Sequence, residues 1–310
     1  MNRKSILVVG GSGFLSGTIV SAALRGGHSV YVVTRGRRPV APGAQPLTAD
    51  RHDVSAFAAA VEEGLRAAGG QFDLVVDAIP FSPEDARQDV EAFSGRTNRF
   101  VYVSTDFVYD PERRRFPQTE DDADYLTGGY GGNKRAGEEV LLAAGSAGLP
   151  WVVVRPGHIY GPGSQLGCLP PVGRDAELIS RLRAGSPVEL IGGGHFLQQP
   201  TFVEDLARVI LELGEAAPER SVGTIMNVAG PDIVESVEYY RIVAEELGVE
   251  LKVTEIPVGE YARANPDKAS FICHRFYDLS RLAATGVRLP ATSLAAGLRR
   301  HVRSLLDDRK

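Results

Sequence analysis

Tyr130-Gly-Gly-Asn-Lys134 sets a phenol and an ammonium four residues apart. On a helix that spacing is one turn, so both side chains lie on one face. An ammonium there stabilises the phenolate and lowers the phenol's pKa. Upstream, Tyr102-Val-Ser-Thr-Asp-Phe-Val-Tyr109 reads as a buried strand that ends in hydroxyls. A hydroxyl beside the phenol can share a transferring proton, and the three groups together make an acid/base device for interconverting a carbonyl and an alcohol. The chain before this device is expected to hold a nicotinamide cofactor, and the chain after it a substrate.

The elements that must position these groups can be read in order. Ile6 to Val9 is short and wholly apolar, the pattern of a strand buried on both faces. Gly10-Gly-Ser-Gly13-Phe-Leu-Ser-Gly17 follows as a tight turn, Thr18 to Arg25 as a helix and His28 to Thr34 as a second strand. In that context Gly10 and Gly13 let the backbone approach a pyrophosphate seated on a helix N-terminus. The third glycine of such a loop is expected at position 16, where serine stands; Ser16 is small enough for close helix–strand packing, with the phosphate loop slightly displaced. After the second strand, Thr34-Arg35-Gly-Arg37-Arg38 offers no carboxylate to ribose hydroxyls, and Arg35 can stack on adenine and pair with a 2′-phosphate. NADP(H) is therefore expected ahead of NAD(H). Asp50 ends a third strand, placed to accept from the adenine amino group, and Asp53 is expected to cap the helix over 54–68. A fourth strand over 72–79 brings Ala78 and Ile79 beside the cofactor riboses. A helix over 83–93, a fifth strand over 99–104, a loop over 110–129, the helix carrying Tyr130 and Lys134, and a sixth strand over 151–155 complete the alternation. Strands alternating with helices imply an α/β fold: a doubly wound parallel (Rossmann) sheet with its site at the strands' C-terminal ends. Residues 1–165 are expected to form this dinucleotide-binding domain, with sheet and helix additions from about 196–230. Residues 166–310 are expected to be a smaller, mainly substrate-binding region, with helices over 176–184, 236–247 and 293–306 and strands over 188–191, 225–229 and 251–256.

Composition narrows the class. The chain has 310 residues, 43% hydrophobic and 24% charged, with a formal net charge of −5. That balance gives no attraction to nucleic acid or membrane surfaces. Two isolated cysteines, Cys168 and Cys273, support neither a disulfide framework nor a metal site. No stretch approaches the roughly 18 apolar residues a membrane helix needs, and the N-terminal apolar run ends too early for a signal-peptide core. A cytoplasmic protein is expected.

With these residues assembled, the chain resembles the extended short-chain dehydrogenase/reductases, the group of sugar-nucleotide epimerases, dehydratases and ketoreductases. The markers are Gly10-Gly-Ser-Gly13-Phe-Leu, Asp50, Val103 to Tyr109, Tyr130 to Lys134, Arg155-Pro-Gly-His-Ile-Tyr-Gly-Pro162 and Phe202-Val-Glu-Asp-Leu-Ala207, in this order over nearly the whole chain. Overall, Thr34-Arg35-Gly36, Asp50 to Asp53 and His274-Arg275-Phe-Tyr-Asp278 look like the atypical epimerase-like branch that includes chloroplast RNA-binding relatives. Locally, Ser104 to Asp110 and Tyr130 to Glu138 look like 4-keto-deoxysugar nucleotide reductases. Phe107 stands where the dehydratases carry a glutamate, which argues against dehydration. The resemblance implies Tyr130 as general acid/base, Lys134 as the ligand of the nicotinamide ribose that lowers the tyrosine's pKa, and Thr105 as the hydrogen-bond donor to the reacting oxygen. It implies cofactor contacts from Gly10, Ser12, Gly13, Phe14, Leu15, Thr34, Arg35, Asp50, Ala78, Ile79, Ser104, Lys134 and Pro156. Substrate contacts are expected from Phe81, Asp106, His158, Gln198 and Lys268. Asp106 either supports the substrate or caps a loop, and His158 either faces the substrate or is a structural histidine. Tyr109 and Tyr160 are expected in the core, and Cys168 in loop packing.

The substrate side departs most from the group. Where an arginine usually holds a sugar-nucleotide diphosphate, this chain has Gln198, and a second such arginine would fall at Lys268. Gln198 cannot make a charge-assisted fork, and Lys268 offers a point charge only. The reading is an NADP(H)-preferring reductase of a keto group on a sugar nucleotide or sugar-like substrate. An NAD-dependent sugar-nucleotide epimerase using the same residues is the near alternative. A non-catalytic RNA-associated binder is the alternative from another class, against which the acidic pI of about 5.8 counts. The resemblance also implies a homodimer built on the helices after the fourth and fifth strands.

Overall fold

The computed structural model describes residues 3–307. Its centre is a seven-stranded, all-parallel sheet. The strands in chain order are β1 (Ser5–Val9), β2 (Ser29–Thr34), β3 (Gln45–Thr48), β4 (Leu74–Asp77), β5 (Phe100–Val103) and β6 (Trp151–Pro156), completed by Thr224–Val228. Across the sheet the order is Thr224–Val228, β6, β5, β4, β1, β2, β3. Succession runs outward in both directions from β1 and β4, so the crevice beyond their C-terminal ends is the topological switch point where such sheets bind ligands.

The helices are α1 (Phe14–Arg25), α2 (Val54–Ala68), α3 (Pro83–Phe93) and α4 (Gly129–Ala144), with Val203–Leu213 further along the chain. They cover both faces, and β1 shows why its sequence lacks polar alternation. Ile6 and Val8 pack into the core beneath α1 and Val203–Leu213. Leu7 and Val9 face the opposite core, built with α2, α3 and α4. Each such side chain, fully buried, contributes on the order of 1.5–3 kcal/mol. The doubly wound α/β architecture expected from the alternation is the one observed.

Local chemistry sets several element ends. Asp53 caps α2 by accepting from the Ala56 amide at 3.0 Å, as expected. Ser82 caps α3, with Pro83 in its first turn and Asp85 closing a reciprocal capping box. Helix α1 starts at Phe14, four residues before the expected Thr18, because Gly13 already ends the turn. Strand β4, Leu74–Asp77, is shorter than the expected 72–79.

A third core, of Tyr160, Leu166, Leu178, Leu182, Val188, Phe202, Val237, Tyr240, Val243, Leu294 and Leu298, organises the C-terminal region. Its strand Val188–Ile191 pairs in parallel with Val253–Ile256. Short pairings not foreseen from sequence join Ile159–Tyr160 to Thr201–Phe202 and Leu197–Gln198 to Val234–Glu235. Among the described residues no helix is long and apolar enough to cross a membrane.

Candidate active site

Two cavities open at the C-terminal edge of the sheet. The first, of about 490 Å³, lies over the switch point and is lined by Gly10, Ser12, Gly13, Thr34, Arg35, Arg37, Arg38, Asp50, His52, Ile79 and Phe81, among others. Gly10 has φ +91°, and a Cβ on it would stand 2.7 Å from Ile79, so only glycine fits this turn. Ser16 does more than fill the place of the third glycine. Its Oγ donates to the Gly10 carbonyl at 2.5 Å and accepts from the Gly13 amide at 3.0 Å, fastening the loop on both sides. Beyond it, α1 starts without a side-chain cap, leaving first-turn amides for an anion. A pyrophosphate on that helix start and an adenosine between Arg35 and Asp50 suit both the size and the chemistry of this cleft.

The base of the cleft holds a buried charge cluster that the sequence reading did not identify. Arg51 pairs with Asp77 at 2.6 Å, Asp85 at 3.0 Å and Asp89 at 3.1 Å, all of them buried. It thereby ties the segment after β3 to the exit of β4 and to α3. Asp85 in turn accepts from the Phe81 and Ser82 amides, fixing the segment that carries Phe81. Burial and the neighbouring Asp77 push the Asp89 carboxyl well above the usual range.

Thr105 and Tyr130, two of the reactive residues, line the second cavity. Strand β5 ends at Val103, and Thr105 caps the following single turn, Asp106–Val108, by accepting from the Phe107 amide at 3.3 Å. Helix α4 begins against this turn. A Cβ on Gly131 would lie 1.9 Å from the Phe107 carbonyl oxygen, and one on Gly132 2.6 Å from the Thr127 carbonyl carbon. The paired glycines after Tyr130 are therefore what let α4 press onto the 106–108 turn. Tyr130 keeps 49% of its surface open, with its ring edge-on to Phe107.

Lys134 is 2% exposed and donates to the Val103 carbonyl at 2.8 Å. The rings of Phe81, Tyr102 and Tyr130 lie 5.0, 5.8 and 5.9 Å from its Nζ. Burial pulls its pKa down to about 8, against the opposing pull of Asp77 and Glu138. The surrounding protein and the charge of Asp106 raise the Tyr130 phenol above its ordinary value, while a hydrogen bond with the Thr105 hydroxyl draws it down. The expected lowering of the phenol by Lys134 is thus not found. The ammonium is directed at a strand carbonyl, and the charge acting on the phenol is that of Asp106.

One turn beyond Lys134, Glu138 is fully buried. It accepts from Ser104 Oγ at 2.5 Å and from Arg155 Nε at 2.9 Å and Nη2 at 2.5 Å. Arg155 also donates to the Tyr109 hydroxyl at 2.9 Å and lies over the Tyr109 and Tyr125 rings. This network locks α4 to β5 and β6.

The second cavity has a volume of about 640 Å³. Thr105, Asp106, Phe107, Tyr130, His158, Cys168, Arg174, Lys268 and Arg275 are among its walls. His158 is edge-on to Tyr239, and burial together with the charges of Arg174 and Arg275 holds its imidazole well below its ordinary value, hence neutral. Burial pushes the Cys168 thiol up to about 12, which suits packing better than nucleophilic attack. Tyr109 and Tyr160 are buried in the core.

Several expected contacts lie elsewhere. Leu15, Ala78, Ser104, Lys134 and Pro156 line neither of these cavities. Leu15 and Ala78 pack against the sheet core, Ser104 is turned down to Glu138, and Pro156 is buried at the end of β6. Phe14 lies on the outer side of the glycine loop, under the guanidinium of Arg174. Phe81 lines the dinucleotide-sized cavity rather than the second one, because its segment is fastened to Asp85. Gln198 is 1% exposed in the short strand Leu197–Gln198, outside both linings. Arg174 and Arg275, which do line the second cavity, come from irregular segments whose sequence carries no periodic signal.

Comparison with known proteins accords with this architecture. The sequence pattern of the NAD dependent epimerase/dehydratase family matches residues 86–229. The chain is 29% identical over 248 residues to the chloroplast stem-loop binding protein of 41 kDa b of Arabidopsis thaliana, covering 75% of this chain and 60% of that protein's length. It is 27% identical over 270 residues to 2'-dehydrokanamycin reductase of Streptomyces kanamyceticus, covering 86% of this chain and 73% of that one. Among solved structures, the epimerase Mth375 of Methanothermobacter thermautotrophicus superposes with a TM-score of 0.81 at 18% identity, over 99% of this chain and 94% of that one.

Proposed function

We propose that this chain is an extended short-chain dehydrogenase/reductase and that it reduces a keto group on a sugar nucleotide or sugar-like substrate, with NADP(H) preferred to NAD(H). The observation that carries the proposal is the position of Tyr130 and Thr105 at the wall of the second cavity, with Lys134 buried directly behind them. When bound, the nicotinamide supplies the hydride. Tyr130 gives its phenolic proton to the reacting oxygen, Thr105 donates to the same oxygen, and Lys134 holds the nicotinamide ribose. Gly10, Ser12, Gly13, Thr34, Arg35, Asp50 and Ile79 hold the cofactor, and three arginines at 35, 37 and 38 favour a 2′-phosphate. The reductase named among the relatives, taken with those arginines, favours reduction over epimerisation. Epimerisation by the same residues is the second reading, supported by the family's own description. A binding role on RNA draws only on the name of the Arabidopsis relative, and the acidic composition weighs against it. A cytoplasmic homodimer joined through α3 and α4 completes the proposal, and a monomeric mass in solution would remove that part.

The test is NADPH oxidation with a panel of keto sugars and their nucleotide derivatives. Tyr130→Phe is expected to lower turnover at least about a hundredfold, as for the loss of a general acid. Tyr130→Phe turning over at the wild-type rate would remove the proposal.

A further inference from the structure

The second cavity carries a charge imbalance that its assigned residues leave unexplained. Arg275 is 3% exposed, packs over the Phe107 ring at 5.4 Å and borders the space in front of Thr105 and Tyr130. Its Nε and Nη2 have no hydrogen-bond partner. Its nearest carboxylate is Asp106, 3.7 Å from Nη1, beyond hydrogen-bonding distance. That carboxylate is already engaged: Tyr277 donates to it at 2.6 Å, and Arg114, itself buried, lies 3.4 Å away. One acid therefore faces two guanidiniums. A third, Arg174, is exposed at the rim, donates to the Ile159 carbonyl and forms no salt bridge with an acid among the described residues. Lys268 is balanced by Asp267 at 2.9 Å. His158, under the influence of both Arg174 and Arg275, is neutral and adds no charge. Burying guanidinium groups without a counter-ion is costly, and orphaned N–H groups beside an open cavity lower that cost when an anion arrives.

We propose that the substrate carries a compact oxyanion, a carboxylate or a phosphate, that docks on Arg275 at the reacting end of the cavity, with Arg174 as the second cation. This rests on the reading of Tyr130 as the reacting centre. It differs from diphosphate capture, for which arginines would be expected at positions 198 and 268. Here the cation stands beside Asp106, next in sequence to Thr105, so it reads a group on the keto compound itself. A planar guanidinium supplies the fork that such an oxyanion takes, which a lysine would not.

The test is calorimetric titration of D-glucuronate, D-glucose and inorganic phosphate into protein saturated with NADP+, using wild type, Arg275→Gln, Arg275→Lys and Arg174→Gln. Wild type is expected to bind at least one of the two anions and to bind it more tightly than glucose. Glucuronate binding points to a carboxylate, and phosphate binding to a phosphorylated substrate. Loss of a charge-assisted fork in Arg275→Gln should weaken that anion about tenfold or more, with partial recovery in Arg275→Lys and a smaller loss in Arg174→Gln. The NADP+ affinity of each variant reports whether the fold and the cofactor site survive. Equal binding of glucose and both anions, or unchanged anion affinity in Arg275→Gln, would overturn the proposal. Wild type that fails to bind NADP+ would instead overturn the reductase reading, while the difference between wild type and Arg275→Gln still decides the anion site.

Discussion

Removing the carboxylate of Glu138 tests how the reactive helix is held. In Glu138→Ala the Arg155 guanidinium keeps its buried place but loses two charge-assisted hydrogen bonds, at 2.9 and 2.5 Å. Ser104 loses its acceptor as well. Breaking a buried pair on one side leaves an uncompensated charge and costs about 3–5 kcal/mol, against about 0–1 for an exposed pair. Urea unfolding at pH 7 reads this through the single tryptophan, Trp151, which is buried in β6 four residues before Arg155 and donates to the Gly145 carbonyl. The Glu138→Leu/Arg155→Met double variant removes both charges and should recover at least about 1 kcal/mol of the loss. Acid provides a second check. Burial pushes the Glu138 carboxyl up, but Arg155, Ser104 and Arg135 outweigh it and hold the group below its ordinary 4.5. The stability it contributes is therefore present above that value and is lost as pH falls through the lower, folded-state value. Glu138→Ala should lack this acid-side fall. A loss under about 1 kcal/mol, or a double variant no more stable than the single one, would refute the reasoning.

Two further predictions concern the same helix. Gly131→Ala must open the contact between α4 and the Phe107 carbonyl by more than an ångström, since the new Cβ would start 1.9 Å from that oxygen. Displacing Tyr130 by that much should lower turnover about a hundredfold while NADPH affinity, set mostly at the glycine loop, changes less than about threefold; equal turnover in a steady-state assay would contradict it. Lys134 is charged below about 8 and neutral above it, so NADPH affinity should fall as pH rises through that value and become flat in Lys134→Met. Because burial lowers its folded value below the ordinary 10.5, the ammonium opposes folding at pH 7, and that opposition fades between about 8 and 10.5. Lys134→Met should accordingly melt higher than wild type at pH 7; a lower melting temperature would show the lysine to be stabilising.

The parts of the fold legible in sequence were those set locally. The apolar run Ile6 to Val9 and the helix opening at Pro83 each carry their own physical signal and formed as expected, while the glycine turn after β1 formed shorter than expected. Tyr130 and Lys134 share a helix and could be read from spacing alone. The second cavity could not be read in this way. Arg174 reaches it from an irregular loop, and Arg275 enters from a segment registered against Gln198 across more than seventy residues. Gln198 was singled out for its distance from a motif, but the short pairing with Val234 turns that strand into the interior. Charge balance was equally hidden. Arg51, Asp77, Asp85 and Asp89 are unremarkable in sequence, and only the folded chain gathers them under the cofactor cleft. The direction of the Tyr130 shift likewise depended on the burial of the phenol and then on the charge of Asp106, neither of which spacing along the chain reveals.

The most direct test of the central claim is made on freshly purified, undialysed protein. It is denatured, any released nucleotide is identified, and NADPH and NADH are then titrated into the emptied protein and into Arg35→Ala. The account predicts a dissociable cofactor, NADPH bound about tenfold or more tightly than NADH, and most of that difference lost in Arg35→Ala, as expected for loss of a charge-assisted contact to a 2′-phosphate. Stoichiometric, tightly held NAD with little affinity for NADPH would contradict it and favour an epimerase that regenerates its cofactor in place.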